Sequence, residues 1–448
     1  MRKPHICTNR PALAAVSLAI GLLASGLPGL ASAQSLQALY EAARSYDATY
    51  LAARAQAESA EFRAAQAEAL ARPSLAVRAG ASTSRNNAPG GRNANIDNVQ
   101  ASLRGSYALF NRVDGVTIEQ ARKSLVAAQA LLDSAEQDLI VRLAQAYFDV
   151  LAAQDALETA RASKTAIAEQ LASAKRNFEV GTATITDARE AQAFFDLATA
   201  REIAAANNLL ASRIALDQRV GRTDVQPWPL LVPVVLPRTV PANPEEWVSL
   251  ADAQHPSVRQ ARVALEVAQL ETSKARAGAL PTVEATAELG PSYSRGSGAF
   301  PRAGTNSGAS VGVQMSWPLY TGGATQNRVK ETLSLEDKAR NDLEAARRGV
   351  AQATRVAWFT VESLQAQVKA LEAAEASSKL ALEATELGYR VGVRVNLDVL
   401  NAQTQLFTTR RDLARARYDV LLGGLVLRQA AGQLAPSDVQ TLDTLLAR

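Results

Sequence analysis

Two matching segments each contain an aromatic residue, a glycine three positions later and a set of polar residues. The first set lies after Phe178-Glu-Val-Gly181, and the second begins at Tyr389-Arg-Val-Gly392. Such side chains form reversible hydrogen bonds and ion pairs between surfaces. The polar members are Thr186 and Asp187 in the first set, and Tyr389, Arg394, Asp398 and Asn401 in the second.

Residue types used in catalysis are scarce. Cys7 is the only cysteine in the sequence, and His5 and His255 are the only histidines. Zinc sites and nucleophilic catalysis draw on thiols and imidazoles, and the sequence has no phosphate-binding glycine loop. We therefore predict neither an enzyme nor a metal or other cofactor site. His255, which precedes Pro256, is interpreted as a surface or helix-capping residue.

The first 33 residues are interpreted as a signal peptide. A basic start precedes a mostly apolar run at 12–30, and residues 31–33 fit a small-residue cleavage site. An N-terminal membrane anchor is the less favoured alternative. Removing this segment takes away three of the 48 basic residues and none of the 44 acidic ones. The remaining chain is nearly neutral, so its charge does not indicate a nucleic-acid partner.

The chain is a duplicated half. Residues 47–77 align with 255–285 at an offset of 208, and residues 147–221 align with 358–432 at an offset of 211. Solenoid repeats have periods of only about 20–50 residues. We predict a first repeat at 34–221, a proline-rich connector at 222–245, a second repeat at 246–434 and a tail at 435–448.

Alternating apolar and polar residues predict two β-hairpins, at 74–110 and 282–320, with loops at 83–97 and 290–308. Strands of this length and pattern match tilted membrane-crossing strands. A small soluble sheet packed on a helix is the alternative. Aromatic residues at corresponding strand ends predict an interfacial girdle; they are Tyr107, Phe110, Trp317 and Tyr320.

Apolar residues stepping by three and four predict long coiled-coil helices. Each repeat has a long helical hairpin, at 116–220 and 326–431, after a shorter first helix that is predicted at 36–71 in the first repeat. Gly181 and Gly392 would end the long helices in a left-handed conformation. Asp187 and Asp398 lie where helix N-caps belong, Asp187 with Glu190 in a capping box.

Four strands cannot close a membrane barrel, and an open sheet edge in lipid leaves backbone groups unsatisfied. The chain must therefore borrow strands from copies of itself. Three copies would supply twelve strands.

This layout resembles the TolC family of outer-membrane exit ducts. The resemblance covers nearly the whole mature chain and is sharpest at residues 389–402 and at Ala416-Arg417-Tyr418. It implies an α+β membrane protein that forms a homotrimer, with a twelve-stranded barrel in the outer membrane and a twelve-helix tunnel through the periplasm. It also implies a periplasmic adaptor and an inner-membrane transporter as partners.

The family further implies an iris-like gate at the hairpin tips. Carried over by position, Tyr389 and Arg394 would bond Thr186 and Asp187, partly within a chain and partly between neighbours. Asp398 would face the constriction as an acidic ring. Asn401 stands where the family often has a second aspartate, which predicts a weaker field.

Two functions follow from these observations. The favoured one is an exit duct in the outer membrane of a Gram-negative bacterium, serving efflux or type I secretion. The alternative is a periplasmic coiled-coil adaptor or scaffold, which shares the helical hairpins but needs no membrane strands. The four amphipathic strands favour the duct.

Overall fold

The computed structural model describes residues 34–86, 94–231, 233–296 and 303–447. The predicted signal peptide lies outside these ranges. Among the helices within them, none combines the length and apolar character needed to cross a membrane.

The two repeats fold into the same series of elements. The first consists of α1 (Leu36–Tyr46), α2 (Ala48–Glu68), β1 (Ser74–Asn86), β2 (Ala94–Phe110), α3 (Arg112–Glu179) and α4 (Ile185–Val220). The second consists of α5 (Pro244–Gln254), α6 (Pro256–Ala277), β3 (Thr282–Gly296), β4 (Ala303–Ser316), α7 (Ala324–Arg390) and α8 (Asn396–Ala430). A short helix, α9 (Pro436–Asp443), follows where only a tail was predicted.

The four strands form one antiparallel sheet in the order β1-β2-β3-β4. The strands are longer than predicted, because the described parts of the predicted loops 83–97 and 290–308 are paired strand. Backbone hydrogen bonds continue there although the apolar alternation has ended, as in the pair Ser84↔Ile96. The second hairpin is shorter than predicted: β4 ends at Ser316, just before Pro318, which has no amide to donate.

A β-bulge changes the end of β2. Ala108 lies opposite Glu284 and Phe110 opposite Val283, so Leu109 is an extra residue in the pairing. The bulge shifts the alternation by one position. Phe110 therefore lies on the same face of the sheet as Tyr107, which strict alternation would not allow.

The longest helix, α3, has 68 residues and a length of about 100 Å. Two shorter helices cover it end to end. Glu68 of α2 pairs with Arg122, whereas Glu202 of α4 pairs with Arg161. The α1 helix lies between them, with Tyr46 against Gly221 at the end of α4. The long helix α3 is therefore flanked by a composite row of three shorter helices.

The predicted helix at 36–71 is wrong in one respect, because it breaks at Asp47. The Asp47 carboxylate accepts a hydrogen bond from the Tyr50 amide at 2.8 Å and pairs with Arg142 at 3.3 Å. His255, at the equivalent position of the second repeat, separates α5 from α6. Its Nδ1 accepts a hydrogen bond from the Ser257 amide at 3.1 Å, so His255 is the N-cap of α6.

The main apolar core lies midway along the long helices. Tyr147 of α3 is fully buried, and its hydroxyl donates to the carbonyl oxygen of Trp228 in the connector at 3.0 Å. Leu36 of α1, Leu425 of α8 and Val439 of α9 belong to the same cluster. The connector and α9 are therefore packed against one side of the long helices.

The His255 cap predicts a stability that depends on pH. Burial lowers the pKa of His255, so the neutral, capping form is favoured in the folded protein. The contribution is fully present above the unfolded pKa of about 6.5 and is lost as the pH falls through the folded pKa. Asn caps helices without titrating. Urea unfolding at several pH values should show that His255→Asn reduces the loss of stability on acidification, whereas parallel pH profiles would contradict this role.

The two hairpin tips as a candidate gate

The first tip joins α3 to α4 through a left-handed glycine. Gly181 has a φ of 78°, a conformation that glycine adopts without a steric penalty. The amides of Thr182 and Ala183 donate to the carbonyl oxygen of Asn177 at 2.8 and 3.2 Å. These bonds satisfy a backbone carbonyl in the last turn of α3, and the chain turns back toward α4.

The helix start after this turn differs from the prediction. Thr184, not Asp187, is the N-cap of α4. The Thr184 hydroxyl accepts from the Asp187 amide at 3.3 Å, and the Asp187 carboxylate accepts from the Thr184 amide at 2.9 Å. Asp187 is thus the third helical residue of the capping box, and Glu190 is not part of it. Thr186 contacts Thr184 through its hydroxyl.

The second tip repeats this turn. Gly392 has a φ of 81°, and the amides of Val393 and Arg394 donate to the carbonyl oxygen of Gly388 at 2.9 and 3.1 Å. Gly388 allows the Arg394 side chain to cross the helix end, because a Cβ on Gly388 would lie only 2.8 Å from the Arg394 Cγ.

Arg394 pairs with Asp398 within the second tip. Its guanidinium lies 3.6 Å from the Asp398 carboxylate, which also accepts from the Val395 amide at 3.4 Å. Asp398 is therefore the third residue of α8, and it caps that helix without being the N-cap residue. Asn401, one turn on, is exposed.

Tyr389 connects the two tips. Its hydroxyl accepts a hydrogen bond from the side-chain amide (Nδ2) of Asn177 in α3 at 3.3 Å. Within a single chain, the structure pairs neither Tyr389 nor Arg394 with Thr186 or Asp187. The intrachain part of the predicted links is thus replaced by Asn177–Tyr389 and Arg394–Asp398. The links between neighbouring chains remain a prediction.

Asn396 is a second connection, which was not predicted from the sequence. It is the first residue of α8 and is 1% exposed. Its side chain binds Gln170 of α3 and the backbone of Asp187 in α4. An asparagine where the first repeat has Ile185 was the available signal.

Further polar links lie above the tips. The Tyr418 hydroxyl of α8 donates to the Asp155 carboxylate of α3 at 2.7 Å. Burial raises the pKa of both the Asp155 carboxyl and the Tyr418 hydroxyl. The long hairpins are thus joined by individual polar contacts as well as by apolar packing.

The predicted girdle residues lie together near the helical end of the sheet. Tyr107 and Phe110 are among the last paired residues of β2, and Trp317 follows β4 directly. The Trp317 indole donates to the Ala279 carbonyl at 3.2 Å, and Tyr320 is 89% exposed. Within the described ranges, no group of three or more His, Cys, Asp and Glu side chains is placed to hold a metal ion.

The family model described as "Outer membrane efflux protein" matches residues 39–222 and 247–433, one segment in each repeat. The chain belongs to this family. The match confirms the predicted family, and the double hit follows the internal duplication.

Curated relatives extend the likeness. The chain is 34% identical over 434 residues to the outer membrane protein TolC of Vibrio cholerae, covering 96% of each protein. It is 35% identical over 327 residues to the alkaline protease secretion protein AprF of Pseudomonas aeruginosa, covering 70% of this chain and 66% of the relative.

Solved structures show the same fold. The outer membrane protein VceC of Vibrio cholerae superposes with a TM-score of 0.75 at 21% identity, covering 89% of this chain and 96% of that one. CusC gives a TM-score of 0.77 at 18% identity, covering 89% of this chain and 92% of that one. These structures confirm the predicted fold class. The family model and the curated relatives confirm the outer-membrane location and the exit duct for efflux or type I secretion. The adaptor alternative is not favoured.

The capping box predicts that loss of the Thr184 hydroxyl destabilises the first tip locally. Thr184→Ala should destabilise the start of α4 by about 1 kcal/mol, because the Asp187 amide loses its acceptor. Amide hydrogen exchange of residues 185–189 should accelerate accordingly. Thr184→Ser keeps the hydroxyl and serves as the control; equal exchange in both variants would contradict the assignment.

Proposed function

We propose that three copies of this chain form one channel that conducts cargo across the outer membrane through a gate at the hairpin tips. The observation that carries the proposal is that one chain leaves unpaired edges on both its sheet and its helical layer. A closed ring of copies satisfies both sets of edges.

The sheet supplies the first pair of edges. The strands β1 and β4 each pair on one side only, which leaves a row of free backbone donors and acceptors on the other. In lipid, such groups need partners. Pairing β4 of one copy with β1 of the next provides them, and three copies close a twelve-stranded barrel.

The helices supply the second pair of edges. The α4 helix packs on α3, α3 on α8, and α8 on α7, so α4 and α7 are the outer members of the layer. Each carries an exposed apolar stripe at roughly heptad spacing, which suits coiled-coil packing against another helix. The stripe residues are Ile203, Leu210 and Ile214 on α4, and Val356, Phe359, Leu380 and Leu387 on α7.

A cleft lined by both polar and apolar side chains supports the position of the tunnel. It has a volume of about 1140 Å³ and lies over α3 between α4 and α8. On α3, Gln145 and Asp149 line the cleft, whereas Tyr147 and Leu151 belong to the core on the side of the connector. We therefore place the cleft on the inner wall. Its charged lining is mixed and consists of Asp149, Arg201, Arg219, Arg411, Asp412, Arg415 and Asp419.

The gate is built from the tips. The intrachain bonds Asn177–Tyr389 and Arg394–Asp398 hold each chain closed, and Tyr389 and Arg394 reach Thr186 and Asp187 of the neighbour in the closed ring. Asp398 contributes to an acidic constriction, with Asn401 beside it. Such links shift the closed–open equilibrium when partner contacts favour the open state.

The partners follow from this architecture. A periplasmic adaptor and an inner-membrane transporter supply cargo and open the gate, while the sheet contacts outer-membrane lipid through its apolar face. The duct carries out no catalysis and binds no nucleic acid.

Membrane fractionation followed by native mass spectrometry tests the assembly. A heat-modifiable outer-membrane trimer is expected, and stable inserted monomers would refute the proposed trimer.

The sheet faces should differ in their tolerance of charge. Leu103 and Val313 lie on the apolar face, so Leu103→Arg or Val313→Arg should destabilise the inserted trimer by about 2–4 kcal/mol near mid-bilayer. The controls Ser102→Arg and Gln314→Arg alter neighbouring positions on the polar face and should be mild. Equal trimer yields in all four variants would contradict the barrel.

The gate should open when its links are removed. Tyr389→Phe combined with Arg394→Ser removes the acceptor for Asn177 and the partner of Asp398, so single-channel conductance in planar bilayers should rise. Arg390→Ser changes an exposed arginine beside the same tip and serves as the control. Parent-like conductance in the double variant would place the gate elsewhere.

Neutralising the constriction should have a different effect. Asp398→Asn removes the acidic ring, so cation preference and block by multivalent cations should weaken. Unchanged selectivity would mean that Asp398 serves only α8 and Arg394.

A further inference from the structure

Asn396 links the start of α8 to both helices of the first hairpin. Its Oδ1 accepts a hydrogen bond from the Gln170 side-chain amide of α3 at 2.5 Å. Its Nδ2 donates to the carbonyl oxygen of Asp187 in α4 at 3.3 Å. One side chain therefore contacts three helices.

The site around Asn396 is closed to water. Asn396 is 1% exposed, and Leu400, one turn further along α8, is fully buried. Leu400 packs in a small apolar cluster with Ile167 and Leu171 of α3 and Ala191 of α4. A buried amide in such a place is costly unless it is hydrogen-bonded.

The internal duplication shows that this amide is specific to one tip. The equivalent position in the first repeat is Ile185, which is 48% exposed. The same position is thus apolar and exposed at one tip, and polar and buried at the other. Helix geometry alone does not require an amide there.

We propose that Asn396 is a positioning residue that clamps α8 to the first hairpin in the closed state, and that this clamp is released as the gate opens. Apolar packing through Leu400 tolerates small displacements, whereas two directional hydrogen bonds fix one register. Arg394 and Asp398 lie two residues to either side of Asn396, so the register of the clamp sets the position of both. The proposal rests on the gate described above.

The clamp is suited to a reversible closure. When the hairpins separate, water reaches the amide and replaces both partners, so the net cost of release is that of ordinary hydrogen bonds and not of an unpaired buried group. Partner contacts of modest free energy are sufficient to open it.

The first test replaces Asn396 by a residue of similar size. Asn396→Leu fills the site but removes both bonds, and the open-to-closed ratio in planar bilayers should rise about tenfold. Helical content should stay at the parent value. The matched control, Ile185→Asn, places an amide at the exposed equivalent position and should leave gating unchanged.

The second test uses protonation. Asn396→Asp at neutral pH places a carboxylate against the Asp187 carbonyl, and the channel should open. At acidic pH the neutral carboxyl accepts from Gln170 and donates to that carbonyl, so closure should return. The parent and Asn396→Leu are measured over the same pH range, because both retain the other charged residues on the packed helices. These residues include Lys175, Asp187, Glu190, Arg394 and Asp398.

The outcomes separate the clamp from the gate. If Tyr389→Phe/Arg394→Ser opens the channel while the Asn396 variants conduct like the parent, the clamp is wrong and the gate stands. If the Asn396 variants open it and the double variant does not, the clamp stands and those gate residues are wrong. A pH response of Asn396→Asp shared by Asn396→Leu would also overturn the clamp, because a carboxyl would then play no part.

Discussion

Unpaired backbone at the two edges of a four-stranded sheet is the constraint on which the rest of this structure depends. A chain with two hairpins can pair β2 with β3 internally, but β1 and β4 are left with one free side each. Water can satisfy those groups and hydrocarbon cannot. The helical layer, with its outer members α4 and α7, has the same two-edged form. The sheet and the helical layer each have two open edges, so a single ring of copies completes both.

The parts of the fold that are set by local sequence could be predicted. The rod of α3 follows from its heptad-like spacing, and the left-handed turns at Gly181 and Gly392 follow from the need for positive φ. The duplication also doubled the signal, because each weak pattern appeared at two places. The helix break at Asp47 was not predicted, since Asp47 does not interrupt the apolar pattern, whereas His255 beside Pro256 was identified as a possible cap.

The details that depend on tertiary contacts could not be predicted. The strands continue beyond their apolar alternation because pairing with a neighbour, not side-chain pattern, decides where they end. Asn177 gives no hint in the sequence that it meets Tyr389, which lies 212 positions away. Asn396 is an ordinary polar residue at a helix start until the packing of Leu400 shows that its surroundings are dry.

The N-terminal helix α1 depends on a residue near the other end of the described chain. The Asp443 carboxylate accepts hydrogen bonds from the amides of Leu36 and Gln37, at 2.8 and 3.1 Å, across 407 and 406 positions. Translation and export deliver the chain from its N-terminus, so α1 emerges long before this acceptor does. The hydrogen bonds between α1 and α9 can therefore form only after α9 has been delivered. In a chain that lacks the α9 segment, the Leu36 and Gln37 amides would be left without this acceptor.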